Sequence, residues 1–232
     1  MKVNGIDISR YDAKQLTADV QPPSIFAIYE WGTGAVLPME LESEVQMGHL
    51  KLTLYIKGKD RSSIIRSASE LMANFKKACD LDVDGYDGKY RGFMTKNDYE
   101  KTIAKDRHII NVEFDGFFYD EEREIVFDGT DSAVLNRVGT RETPCVIEVF
   151  AKSDLSNYII RGFGNDEIVI ASLAAGETVV IDGINGLVTV DGENAFASVS
   201  LWEFPKITEG EMSLTFSSTK ATVKIRYMPM WI

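Results

Sequence analysis

The run Asp80-Leu81-Asp82-Val83-Asp84-Gly85 sets carboxylates at alternate positions ahead of a glycine, as an EF-hand calcium loop does. Calcium then needs a bidentate acid at the end of the loop, and that position holds Arg91. The interleaved Leu81 and Val83 suit a strand entering an Asp-Gly turn, which is the reading adopted. Acyl transfer needs a nucleophile held beside a base. His49 and His108 both fall in strand patterns, and no Gly-x-Ser-x-Gly elbow is present. Cys79 and Cys145 are far apart in sequence and are expected as two reduced, partly buried thiols. Gly162-Phe163-Gly164 lacks the third glycine and the following helix of a phosphate loop. Glu121, Glu122 and Glu124 read as a solvated charge run, not as a glycosidase pair. Trp202 and Trp231 have the chemistry to bind: an indole stacks on a pyranose, or packs in a core or subunit interface. No catalytic residue, metal site or cofactor is expected.

Periodicity gives the elements that would position these groups. His49–Lys57 alternates, with Leu50, Leu52, Leu54 and Ile56 on one face of a half-buried strand. After Gly58-Lys59-Asp60 the period changes. Ile64, Ile65, Ala68, Leu71, Met72 and Phe75 form the stripe of a helix over 61–78, with Asp60 or Ser62 to cap it and Lys76 and Lys77 near its end. Leu81 and Val83 belong to a strand that turns at 84–88 and returns through Lys89–Met94. Arg107–Tyr119 alternates again, with Ile110, Val112, Phe114 and Phe118 on one side. Residues 1–120 thus predict an α+β domain, a mostly antiparallel sheet with one helix. The charged and breaker-rich stretch 120–143 marks a boundary, placed at 140/141. From Cys145 onward short apolar runs recur at Cys145–Ala151, Asn157–Phe163, Glu167–Ile170, Thr178–Ile181, Leu187–Val190, Ser213–Phe216 and Ala221–Tyr227, which predict a β-sandwich or jelly roll.

The chain has 232 residues, 44% of them hydrophobic, which is enough for a real core. Its 25 basic and 36 acidic residues leave a net charge of -11. That balance argues against nucleic-acid binding, which needs a basic footprint, and against docking on an anionic membrane. No run reaches the length of a membrane span, and Met1–Asp7 carries no signal-peptide core.

Several segments of the C-terminal half stand in a telling order: Val179-Val180-Ile181-Asp182-Gly183, Val190-Asp191-Gly192, Trp202-Glu203-Phe204-Pro205-Lys206-Ile207 and Val223-Lys224-Ile225-Arg226-Tyr227-Met228-Pro229-Met230-Trp231. This order resembles the C-terminal domain of the distal tail proteins (Dit) of siphophages and prophages. That family has an Ile-Asp-Gly strand and turn, a second acidic-Gly turn, a Phe-Pro segment and a last strand ending near Tyr-x-Pro-x-Trp. The match covers 178–232. Where the family favours Pro-Gly-x-Asn, this chain has Glu209-Gly210-Glu211-Met212, and the stretch up to Met39 matches no stated pattern.

The resemblance implies an N-terminal, tail-tube-like belt domain over 1–140 and a galectin-like β-sandwich over 141–232. It implies a non-enzymatic virion protein of the tail tip, assembled in the bacterial host cytoplasm. Belt domains would close into a hexameric ring between the tail tube protein and the tail-tip protein, and the ring would serve as a hub for receptor-binding components. By analogy with tail-tube units, the ring interface is expected at Leu50, Leu52, Leu54 and Ile56 and at the 61–78 helix. Trp231 is expected as an aromatic plug of the sandwich. Glu40, Glu42 and Glu44 alternate with Met39, Leu41, Ser43 and Val45, as in a strand with one wet face, and are candidates for a DNA-repelling lumen. Two further readings stay open: a carbohydrate-binding module with Trp202 as its stacking residue, and another tube or baseplate subunit.

Overall fold

The structure is a computed structural model that describes residues 1–102, 105–208 and 210–231. The chain forms two compact units, Met1–Tyr119 and Asp120–Trp231.

In the first unit the strands are β1 (Lys2–Val3), β2 (Ile6–Asp7), β3 (Ala13–Gln21), β4 (Ile25–Glu30), β5 (Met39–Val45), β6 (Gly48–Lys57), β7 (Cys79–Asp82), β8 (Lys89–Lys101) and β9 (Arg107–Tyr119). A seven-stranded sheet runs in the order β2-β1-β7-β8-β9-β6-β3, every pairing antiparallel. The helix α1 (Arg61–Ala73) shares a core with it. Alternation does the sorting: Leu50, Leu52, Leu54 and Ile56 of β6 and Ile110, Val112 and Phe114 of β9 are all buried, together with Ile64, Ala68 and Leu71 of α1. The helix begins at a capping box in which the Ser63 N–H donates to Asp60 Oδ1 (2.8 Å) and the Asp60 N–H donates to Ser63 Oγ (3.1 Å). It ends earlier than the apolar stripe suggests. Asn74 closes it, its side-chain amide donating to the carbonyls of Glu70 (2.9 Å) and Leu71 (3.2 Å). Phe75 therefore packs edge-on against Phe114 from a turn, Lys76 and Lys77 lie beyond the helix, and Ile65 is exposed.

The second unit starts at Asp120, well before the boundary expected at 140/141. The reason is strand pairing. β10 (Arg123–Asp128) and β11 (Ser132–Asn136) hydrogen-bond to the last two strands of the chain, so the charged stretch is part of this unit and no linker. The other strands are β12 (Thr143–Ala151), β13 (Leu155–Arg161), β14 (Ile168–Leu173), β15 (Thr178–Asp182), β16 (Leu187–Val190), β17 (Glu193–Asn194), β18 (Val199–Ser200), β19 (Lys206–Ile207), β20 (Glu211–Phe216) and β21 (Ala221–Tyr227). One sheet runs β10-β21-β12-β15-β16-β17, with β19 on β12; the other runs β11-β20-β13-β14-β18. Ile147, Ile181 and Ile225 of the first share a core with Tyr158, Ile170 and Leu214 of the second, which makes a β-sandwich.

The motifs of this unit have mechanical causes. Ile181 is core; Asp182 accepts hydrogen bonds from the N–H groups of Ile184 (2.8 Å) and Asn185 (3.0 Å) and from the Asn185 amide (2.7 Å), which fixes the β15–β16 turn. A Cβ on Gly183 would stand 2.4 Å from the Pro205 carbonyl oxygen and 2.7 Å from that of Cys145, so only glycine lets the turn and the Phe-Pro segment meet. Residues after β21 fasten the start of the unit. The Asp120 N–H donates to the Pro229 carbonyl (2.9 Å), and those of Thr140 and Arg141 donate to the Met230 carbonyl. The Trp231 indole N–H donates to Asp120 Oδ2 (3.1 Å). Trp231 is thus a half-exposed fastener and not the aromatic plug expected. Replacing Gly183 with Ala is expected to destabilise this unit by about 2–3 kcal/mol, read as a lower denaturation midpoint at unchanged slope.

Candidate assembly surface

One element stands apart from both cores. β4 and β5 form a two-stranded sheet of their own, which continues the β3–β6 pair beyond the main sheet. The Gln46 N–H donates to the Ser24 carbonyl at its base (2.9 Å). Ile25, Phe26, Ile28, Tyr29, Trp31, Met39 and Leu41 are all exposed; Val36 and Leu37 in the connecting loop are 88% and 77% exposed. The sequence dictates this. Ile25-Phe26-Ala27-Ile28-Tyr29 is a continuous apolar run, and in a strand such a run puts apolar groups on both faces. An isolated two-stranded ribbon is marginal in water, and contiguous exposed apolar surface marks an interaction site. Among the described residues, neither β4 nor β5 has a second strand neighbour, so both outer edges offer free backbone donors and acceptors.

Glu40, Glu42 and Glu44 all lie on β5 and are all exposed, but they do not share one wet face. The register pairs Glu44 with Phe26 and Glu42 with Ile28, then shifts, and pairs Glu40 with Tyr29. The bulge carries Glu40 to the opposite face from Glu42 and Glu44. Both faces of β5 are open, Met39 and Leu41 included.

Leu50, Leu52, Leu54 and Ile56 cannot serve as the ring interface expected of them. All four are buried inside their own unit, and both edges of β6 are taken, by β3 and β9. They hold the sheet from which the hairpin springs. Trp202, in contrast, is 83% exposed on the second unit.

The other singled-out groups are structural. Asp80 and Asp82 lie on β7, with Leu81 and Val83 buried, and the turn follows at Gly85. His49 Nδ1 meets Asp115 Oδ1 at 2.7 Å and its Nε2 lies 3.5 Å from Glu113 Oε2, so the ring bridges two carboxylates across β6 and β9. His108 is buried against Tyr99, the two in hydrogen-bond contact. Glu122 and Glu124 pair with Arg226 and Lys224 on β21 (3.8 and 3.5 Å). Among the described residues no group of three or more His, Cys, Asp or Glu is placed to hold a metal ion. Both cysteines are free and buried. Burial pushes the Cys79 thiol up to about 11, and burial raises Cys145 as well. A raised thiol stays protonated, and unreactive, at pH 8. Native protein at pH 8 is therefore expected to give no colour with a thiol–disulfide reagent, and both thiols are expected to react once the chain is unfolded.

Residues 138–231 match the family model described as siphovirus-type tail component, C-terminal domain. Over these residues the chain is similar to the C-terminal domain of the siphophage distal tail proteins. Over 99% of its length it is similar in structure to the Dit protein (gp 19.1) of phage SPP1, described as a paradigm of the hub adsorption apparatus in phages that infect Gram-positive hosts. The TM-score is 0.78 at 11% identity, with 98% of that chain covered. It is also similar to a chain of the phage P2 baseplate in its activated conformation with calcium, with a TM-score of 0.52 at 11% identity, covering 95% of this chain and 92% of that one. At such identities the likeness is one of fold. No curated protein matches the sequence. The domain match and the likeness of fold support a structural role in a phage tail or baseplate. No helix among the described residues is long and apolar enough to cross a membrane.

Proposed function

We propose that the chain is a distal tail protein and that it closes into a hexameric ring through the 25–45 hairpin. The ring joins the tail tube protein to the tail-tip protein and offers a galectin-like second domain to receptor-binding components. The observation that carries this is the hairpin itself, a ribbon with apolar side chains on both faces and two open edges. A neighbouring copy supplies both missing contacts: its hairpin extends the ribbon edge to edge, and its surface covers one apolar face. Self-association is favoured over a foreign partner because the edges are self-complementary and repeat around a ring.

The two faces then divide the work. The face with Glu42 and Glu44 carries the charge that repels a passing phosphate chain, which suits the lumen. Glu40 lies on the other face, towards the covered side.

Two experiments test this reading. The double change Ile25→Ser and Tyr29→Ser, on the face shared with Glu40, is expected to weaken self-association by about tenfold or more, as seen by light scattering. It should leave the thermal midpoint of the subunit unchanged, because neither side chain is in a core. A native mass that stays that of one chain at every concentration of the unaltered protein contradicts the ring. In assembled virions, Glu42→Lys with Glu44→Lys is expected to slow genome ejection while Glu40→Lys leaves it unchanged; equal effects of the two would contradict the lumen assignment.

A further inference from the structure

The hairpin does not use the second unit's most exposed aromatic. Trp202 stands over a cleft of about 170 Å³. Asn165, Asp166, Glu167 and Glu203 line it with the indole, and Gly164 leaves open space over its backbone. The cleft is built, not incidental. Its rim is the β13–β14 loop, anchored at both ends by buried side chains, Phe163 and Ile168. At the foot of that loop a Cβ on Gly162 would stand 2.3 Å from the Ser213 carbonyl oxygen, so the chain lies tight against β20 there.

The polar groups are held in place. Arg161 Nη2 donates to Glu167 Oε2 at 2.6 Å, and Lys206 Nζ lies 3.5 Å from Glu203 Oε2. Each carboxylate keeps spare acceptor capacity, and the guanidinium, 57% exposed, keeps spare donors. A flat apolar plate flanked by fixed donors and acceptors matches a hexose, which offers one C–H face and a rim of hydroxyls. A cationic side chain would want unpaired carboxylates, and Glu167 and Glu203 already have cation partners. We propose that this cleft binds the ring of a neutral sugar, stacked on Trp202 and hydrogen-bonded by Asn165, Glu167 and Glu203. The site lies wholly in the second unit and goes beyond the ring reading.

The test is saturation-transfer NMR of the full chain with glucose, galactose and N-acetylglucosamine, each at millimolar concentration. At least one is expected to receive saturation on its ring protons. Trp202→Ala is expected to weaken that binding by about tenfold, the scale of a lost aromatic stack. Gly164→Phe, which fills the open space, is expected to do the same. Both variants should keep the native thermal midpoint, since neither position is in the core. Binding should also persist in the Ile25→Ser, Tyr29→Ser protein, so loss of the ring and loss of the sugar site read out separately. No transfer to any of the three sugars, or transfer undiminished in both cleft variants, would overturn the assignment. Binding of a hexa-arginine peptide in place of every sugar, abolished by Trp202→Ala, would give the cleft to a cationic partner and overturn it equally.

Discussion

A ribbon of two strands cannot bury its own side chains, and this constraint organises the rest of the molecule. The 25–45 hairpin places apolar groups on both faces and leaves both edges open. Everything else in the first unit is arranged to make a firm base for it. β3 and β6 enter and leave the hairpin as paired strands of a seven-stranded sheet, and α1 seals the sheet's apolar face through Ile64, Ala68 and Leu71. Leu50, Leu52, Leu54 and Ile56 spend their hydrophobicity inside that base. Such a division is economical for a subunit of an assembly: the fold of each copy is complete without its neighbours, and only the ribbon is left wanting.

The second unit needs no neighbour in the same sense. Its two sheets share one core, and its ends are stitched to each other by the segment around Pro229, Met230 and Trp231. The family's motifs fall on those stitches. Asp182 and Gly183 shape the turn that meets Pro205, and Tyr227 is buried while its hydroxyl accepts from the Val138 N–H (3.2 Å). They specify a framework, not a reacting site, which is consistent with a chain whose histidines and thiols are all tied into sheets or cores.

What could be read from the sequence follows from which faces are buried. β6, β9 and α1 were legible because one side of each is core, and burial imposes a period. The same fact misdirects the search for an interface: the cleanest apolar stripe is the one most fully covered within its own subunit. The hairpin gave no period because neither face is buried, so its apolar run looked like no pattern at all. The 140/141 boundary failed because Glu122 and Glu124 look like a solvated charge run, and their partners Lys224 and Arg226 lie at the far end of the chain. The bulge that separates Glu40 from Glu42 and Glu44 is set by pairing with β4 and leaves no mark on β5 itself. The Trp202 cleft was legible only as a lone exposed aromatic, since the loop that faces it is brought there by the sandwich.

The central claim is that a second copy covers the hairpin, and amide hydrogen exchange of the full-length protein over a range of concentrations tests it most directly. The account predicts that amides of β4 and β5 gain protection as concentration rises, while those of β6 and β9 are protected throughout. Hairpin amides that exchange rapidly at every concentration, beside a protected core, would contradict it.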